Sequence, residues 1–250
     1  MEMTRAQLEQ IMFVDIEPVS VVAVYEELPE RFQGLWDKKA KILNKREEEP
    51  QTPDDLFRNR AAIFAEFGRV VCINTGIIQI KKERPTLRVK SYYGSDENSL
   101  LTEFGGVLDK FMENPKRNLC AHNGKEFDFP YLGRRYLING IQLPKAISDI
   151  QLKKPWEVKL LDTMLMWKFG DFKSFSSLDL LCACLGVPTP KDDIDGSEVG
   201  RVFWEEGDAA RIAKYCEKDV LATAQVLLRF CREPLIADED IFSMTEFPGA

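Results

Sequence analysis

Apolar residues fill positions 11–14, IMFV, and then alternate with Asp15 and Glu17 as far as Pro18. This run predicts a buried first strand over residues 10–17. The passage that follows is polar up to about residue 58, and WDKKAKILNKREEEPQTPDD is dense in charge and closed by prolines. Such a stretch predicts a surface insertion at about 25–58, partly helical. Helical spacing resumes in DDLFRNRAAIFAEFG, after which RVVCINTGIIQIKK and TLRVKSYYG alternate as two antiparallel strands joined by a KKERP turn.

Further along, residues 99–112 carry an amphipathic helical pattern, RNLCAHN reads as a short buried strand, and FPYLGRRYLING as a helix closed by Asn139 and Gly140. A short strand, VKLLD, follows Pro155 and precedes a mostly helical region. In GDAARIAKYCEKDVLATAQVLLRF, Ala209, Ile212, Ala213, Cys216, Val220, Ala224, Leu227 and Cys231 form one apolar stripe. The last dozen residues read as a loose tail. Three meander strands, then strands alternating with helices, predict an α/β fold with a mixed sheet. Residues 1–250 are expected to form one domain, without an internal repeat or a second core.

Composition narrows the functions. The net charge of -7 over 250 residues argues against coating nucleic acid non-specifically, which relies on Lys and Arg neutralising phosphates. An enzyme that grips only a chain end remains compatible. The six cysteines sit mostly in apolar runs such as RVVCI and LCACL, with no CxxC pair, as expected of reduced, packed thiols. No apolar signal segment and no run of about 18 apolar residues is present, so the expectation is a cytoplasmic protein without a membrane partner.

Three acidic positions invite chemistry. Side chains alternate across a strand, so Asp15 and Glu17 share one face, with Phe13 farther along it, while Val14 and Ile16 face the other way. Two acids leaving the carboxyl end of a strand are either water-exposed strand-end charges or ligands of a divalent metal, because close carboxylates are costly to bury without a cation or proton between them. Asp128 opens a helix after an apolar strand, as a helix cap or as a further ligand. Tyr215 and Asp219 lie four apart on the late helix and so one above the other. The same spacing at Tyr92 and Asp96 falls in a turn containing Gly94 and Ser95 and is set aside.

The remaining signals are weaker. His122 is the only histidine, leaving little material for a histidine metal site or nucleophile relay; it is expected to be hydrogen-bonded in place. KDDIDGSEVG has Lys191 where a calcium loop begins with an acid, and lacks the closing glutamate, so it reads as a polar loop. Asp162 ends the VKLLD strand either as a helix cap or as an acid supporting the site. Lys125, Arg134, Arg135, Lys168 and Lys173 are candidates for holding phosphates, against the ordinary reading of solvated surface.

Taken in order, Asp15-x-Glu17, Asn123 with Phe127-Asp128, and Tyr215-x-x-x-Asp219 resemble the three exonuclease motifs of the DEDD family, the tyrosine pointing to its DEDDy branch. The run from LLDTMLMWKFG to KYCEKDV resembles predicted stand-alone 3′-to-5′ exonucleases related to the proofreading domain of family-B DNA polymerases. The resemblance implies a ribonuclease-H-like mixed five-stranded sheet flanked by helices. It implies two divalent cations, Mg²⁺ or Mn²⁺, held by Asp15, Glu17, Asp128 and Asp219, with Asp15 bridging them. Tyr215 would orient the attacking water, Asn123 would hold the terminal sugar or phosphate, and Ile16 or Phe127 would pack on the last base. The implied partner is the 3′ end of nucleic acid, with single-stranded DNA favoured over RNA; a ribonuclease, a small-oligonucleotide exonuclease and a catalytically silent end-binding scaffold remain alternatives. One departure stands out: family members commonly have threonine after the first-motif glutamate, where this chain has Pro18, losing an N–H and a hydroxyl for the terminal nucleotide. The insertion can also shape or cover the substrate channel.

Overall fold

The computed structural model describes residues 2–46, 48–148, 150–154, 157–171, 175–188 and 194–247. Its centre is a mixed sheet of six strands: β1 Ile11–Ser20, β2 Gly68–Lys81, β3 Arg84–Tyr93, β4 Asn118–Ala121, β5 Leu160–Asp162 and β6 Ile241–Ser243. The strand order is β5-β4-β1-β2-β3-β6. β1, β2 and β3 form the anticipated antiparallel meander, and β4 and β5 add to β1 in parallel. This is the mixed α/β sheet that the ribonuclease-H-like resemblance implies, with one strand more.

That sixth strand corrects the expected loose tail. Ile241–Ser243 pair in parallel with Leu87–Val89, and Met244 N–H donates to the Val89 carbonyl at 2.8 Å. Beyond it, Phe247 lies against Tyr93 with ring centroids 5.7 Å apart. Three residues give too short an alternation to read from sequence; the open edge of β3 supplies the pairing groups that order them. The β2–β3 turn is also tighter than KKERP suggests. Lys81 pairs with Arg84. Only Lys82 and Glu83 turn the chain, both left-handed at φ 48° and 66°.

Each face of the sheet carries its own layer. Met12, Val14 and Ile16 face the helices Glu97–Met112 and Asp128–Ile138, packing with Leu101, Phe104, Phe129 and Tyr136. Phe13 faces the long helix Ala209–Phe230, packing with Val220, Ala224 and Leu227 of its apolar stripe. Asp208 starts that helix by accepting the Arg211 N–H at 2.9 Å. Burial of each such side chain contributes about 1.5–3 kcal/mol, so the alternation in β1 fixes which face meets which helix.

The polar insertion is partly helical, with helices Glu30–Leu43 and Pro53–Arg60. It has a satellite core that the charge density concealed: fully buried Trp36 packs edge-on against Phe57 and Phe67, with centroids 5.3 and 4.9 Å away. Trp36 also donates to the Pro53 carbonyl at 2.7 Å, joining the two helices. No helix among the described residues is long and apolar enough to cross a membrane.

Candidate active site

β1 carries Asp15 and Glu17 toward the long helix. At this point the pairing with β2 slips: Glu17 faces Cys72 while Pro18 faces Val70, leaving Val71 as an extra residue. Pro18 has no N–H to donate, and a bulge is where a strand tolerates that loss. Asp15 is half-buried and accepts a hydrogen bond from the Cys216 thiol at 3.2 Å, while Glu17 is 8% exposed.

Asp128 arrives from the opposite layer. It opens its helix, yet its side chain does not cap it in the usual way; the backbone N–H groups of Asp128 itself and of Ile16 favour its charged form. Asp219 comes from the long helix, hydrogen-bonded to the Tyr215 phenol one turn before it. The four carboxylates act on one another. Burial first, then the charges of Asp128, Glu17 and Asp219, hold Asp15 well above the usual carboxylate range, with the Cys216 hydrogen bond pulling the other way. Burial and then Asp219 and Asp128 raise Glu17 likewise. Asp128, 3% exposed, is pushed up to about 7, chiefly by burial. Tyr215 is raised by burial and by the neighbouring Asp219 and Glu17, so the phenol stays protonated.

Among the described residues, the charges that shift Asp15, Glu17 and Asp128 are all negative. Acids that are pushed up by burial and by one another fit divalent cations, and an all-carboxylate oxygen set suits hard ones such as Mg²⁺ or Mn²⁺.

The loop before Asp128 is built with care. Asn123 is left-handed at φ 61°, and its side-chain Oδ1 is buried without a hydrogen-bond partner among the described residues. At Gly124 a Cβ would come within 2.4 Å of Ala121 Cβ, so only glycine fits between strand and helix. Asp162 holds the loop from behind: it accepts the N–H groups of Asn123 and Lys125 at 3.1 Å each, and those of Met164 and Leu165 at 3.0 and 3.2 Å. Both sequence readings of Asp162 meet here, since it caps the helix Thr163–Lys168 and braces the loop. Phe127 is half-buried, its ring 5.5 Å from Tyr131.

Two expectations need correction. Ile16, offered as a base-stacking side chain, is 4% exposed and packs in the core with Met12 and Val14, because alternation turns it to the face opposite Asp15 and Glu17. Its backbone N–H, not its side chain, acts on Asp128. Arg135, offered as a phosphate contact, is buried in a two-pronged pair with Glu97: Nε to Oε1 at 2.8 Å and a terminal nitrogen to Oε2 at 2.6 Å. Glu97 also accepts the Val70 N–H at 2.7 Å.

The other candidates fall elsewhere. Lys125 and Arg134 edge an apolar cavity of about 320 Å³ lined by Phe129, Leu137, Leu143 and Leu160. Lys168 ends its helix; Lys173 and Lys191 lie outside the described residues. His122 Nε2 donates to the Ser176 carbonyl at 3.0 Å, so its Nδ1 accepts from Thr163 at 2.9 Å. Burial lowers its pKa and leaves a neutral, structural ring. Asp96 caps the helix Glu97–Met112 through the Ser99 N–H at 3.2 Å. Sequence reasoning missed Cys216, read only as part of the apolar stripe, and Asn74, hidden in the alternation of β2 opposite Asp15.

Residues 63–241 match a family described as a predicted 3′–5′ exonuclease related to the exonuclease domain of PolB. The matched span contains Asp128, Tyr215 and Asp219 and begins after β1. No curated protein matches the sequence. Among solved structures, the family B DNA polymerase from the hyperthermophilic archaeon Pyrobaculum calidifontis is similar over 89% of this chain at 16% identity and a TM-score of 0.48. The similarity covers 24% of that polymerase chain. The chain belongs to the family of predicted 3′–5′ exonucleases related to the exonuclease domain of PolB.

Proposed function

We propose that this chain is a metal-dependent 3′-to-5′ exonuclease that hydrolyses the terminal phosphodiester bond of nucleic acid, single-stranded DNA above RNA, and releases nucleoside 5′-monophosphates. The observation that carries the reading is the convergence of Asp15, Glu17, Asp128 and Asp219, drawn from both layers of the sheet into one mutually repelling set, with Glu17 and Asp128 buried.

In this reading Asp15, Glu17, Asp128 and Asp219 would hold two divalent cations, Mg²⁺ or Mn²⁺. Bound cations supply a lowered pKa for the attacking water and stabilise charge on the attacking and leaving oxygens. Tyr215, kept protonated by burial and by Asp219, orients that water as a hydrogen-bonding phenol and does not serve as the base. The partnerless Oδ1 of Asn123 suits the 3′-hydroxyl of the terminal sugar as donor. Phe127 gives a ring for the last base, a contact that tolerates any sequence. The bulge at Pro18 leaves the carboxylates attached while removing one N–H toward the nucleotide.

Single-stranded DNA and RNA of equal sequence, each labelled at the 5′ end, test substrate and polarity together. The reading expects a ladder shortening from the 3′ end, faster on DNA, with 5′-monophosphates as products. Preferential loss of the RNA would move the assignment to a ribonuclease, and internal cuts would refute exonuclease action.

A further inference from the structure

Cys216 stands against Asp15 in a way the oxygen-only metal site does not require. Single donor atoms of Asp15, Glu17 and Cys216 lie within 4.8 Å of one another. An independent observation points to the same place. Asn74 sits directly opposite Asp15 across β1 and β2, and therefore on the same face of the sheet. It is 0% exposed, and its Oδ1 has no hydrogen-bond partner among the described residues.

The orientation of that amide is fixed. The single hydroxyl proton of Ser91 goes to Glu217 at 3.0 Å, so Ser91 accepts from the Asn74 nitrogen at 2.7 Å. Ser91 lies on β3, the strand beyond Asn74. With the nitrogen bound to Ser91, the atom left over is the amide oxygen, on the sheet face that Asn74 shares with Asp15. Two carboxylates and a thiol thus meet over the sheet face that also carries this buried amide oxygen.

Resting on the reading of Asp15 and Glu17 as metal ligands, we propose that Cys216 and Asn74 give the site a second, thiophilic preference: it binds one zinc ion through Asp15, Glu17, Cys216 and Asn74, displacing Mg²⁺ or Mn²⁺ and blocking hydrolysis. Zinc takes mixed sulfur and oxygen ligands in four-fold coordination, whereas Mg²⁺ and Mn²⁺ gain little from a thiolate. On binding, the Cys216 S–H bond breaks, a sulfur–zinc bond forms and the proton passes to solvent; no electrons are transferred.

The test titrates the full metal-free chain with Cd²⁺, whose thiolate bond absorbs in the near ultraviolet, and measures Zn²⁺ affinity by competition with a chromogenic chelator. Wild type should show the band with the first equivalent of Cd²⁺. Cys216→Ser should lack it and bind Zn²⁺ at least about tenfold more weakly. Equal Zn²⁺ affinity in the two proteins would overturn the proposal, as would a band that persists in the variant, which would come from another thiol such as exposed Cys184. Should Cys216→Ser fail to fold, cadmium NMR of the wild type decides: a mixed sulfur–oxygen environment supports the site and an all-oxygen one overturns it. No nucleic acid enters the titration. A band in a protein that degrades nothing leaves the zinc site standing and fails the exonuclease reading; nuclease activity without a band does the reverse.

Discussion

Asp162 accepts the backbone N–H of Asn123 at 3.1 Å, and so ties the loop that leads to Asp128 to the start of the next helix. Replacing Asp162 by alanine removes a helix cap and two loop bonds at a site that is 2% exposed. The expected cost is about 2–4 kcal/mol of stability. A denaturant titration reads it as a lowered midpoint, and the turnover of the folded fraction should fall as well, because Asn123 and Asp128 lose their support. An unchanged midpoint would mean that the loop holds its shape without Asp162.

The acids themselves act against the fold when no cation is bound. Asp15→Asn removes one buried charge that its neighbours oppose and keeps a side chain of the same shape. In metal-free buffer the variant should therefore melt higher than wild type while losing hydrolysis. A lower melting point would show that Asp15 is satisfied by protein groups alone.

The same repulsion gives a pH dependence. Asp128 is pushed up to about 7 from an ordinary value of 3.8, and Asp15 and Glu17 shift in the same direction. Folded protein then holds more protons than unfolded, so the stabilisation is complete below the ordinary value and is lost as pH rises through about 7. Metal-free protein should melt higher at about pH 5 than at about pH 8, and Mg²⁺ or Mn²⁺ should raise the melting point more at the higher pH. Thermal scans at both pH values, with EDTA or with metal, decide it.

The buried pair of Glu97 and Arg135 gives a structural prediction apart from catalysis. Glu97→Gln leaves a guanidinium without its counter-charge and should cost about 3–5 kcal/mol. The pair replaced by glutamine and methionine should recover part of that loss. If Arg135 contacted phosphate instead, its loss would weaken substrate binding at unchanged stability, which equilibrium unfolding and KM together would reveal.

Much of this was legible in the chain because one-dimensional signals carry it. Alternation in β1 fixed Asp15 and Glu17 to one face, and helical spacing stacked Tyr215 on Asp219, before any tertiary contact was considered. The misses arose where tertiary contacts decide. Ile16 sits beside two acids in sequence but across the sheet from them in space. Arg135 reads as surface until Glu97, 38 residues away, is seen to bury it. Ile241–Ser243 pair only because β3 presents an open edge. Asn74 is one more polar residue of an alternating strand until the register sets it opposite Asp15.

The most direct test of the central claim compares wild type with Asp15→Asn and Asp219→Asn on 3′-recessed and single-stranded DNA in Mg²⁺, Mn²⁺ or EDTA, all three proteins being shown folded. The account predicts 3′-end degradation by wild type with either metal, none in EDTA and none by either variant. Hydrolysis that survives in both variants, or in EDTA, would contradict it.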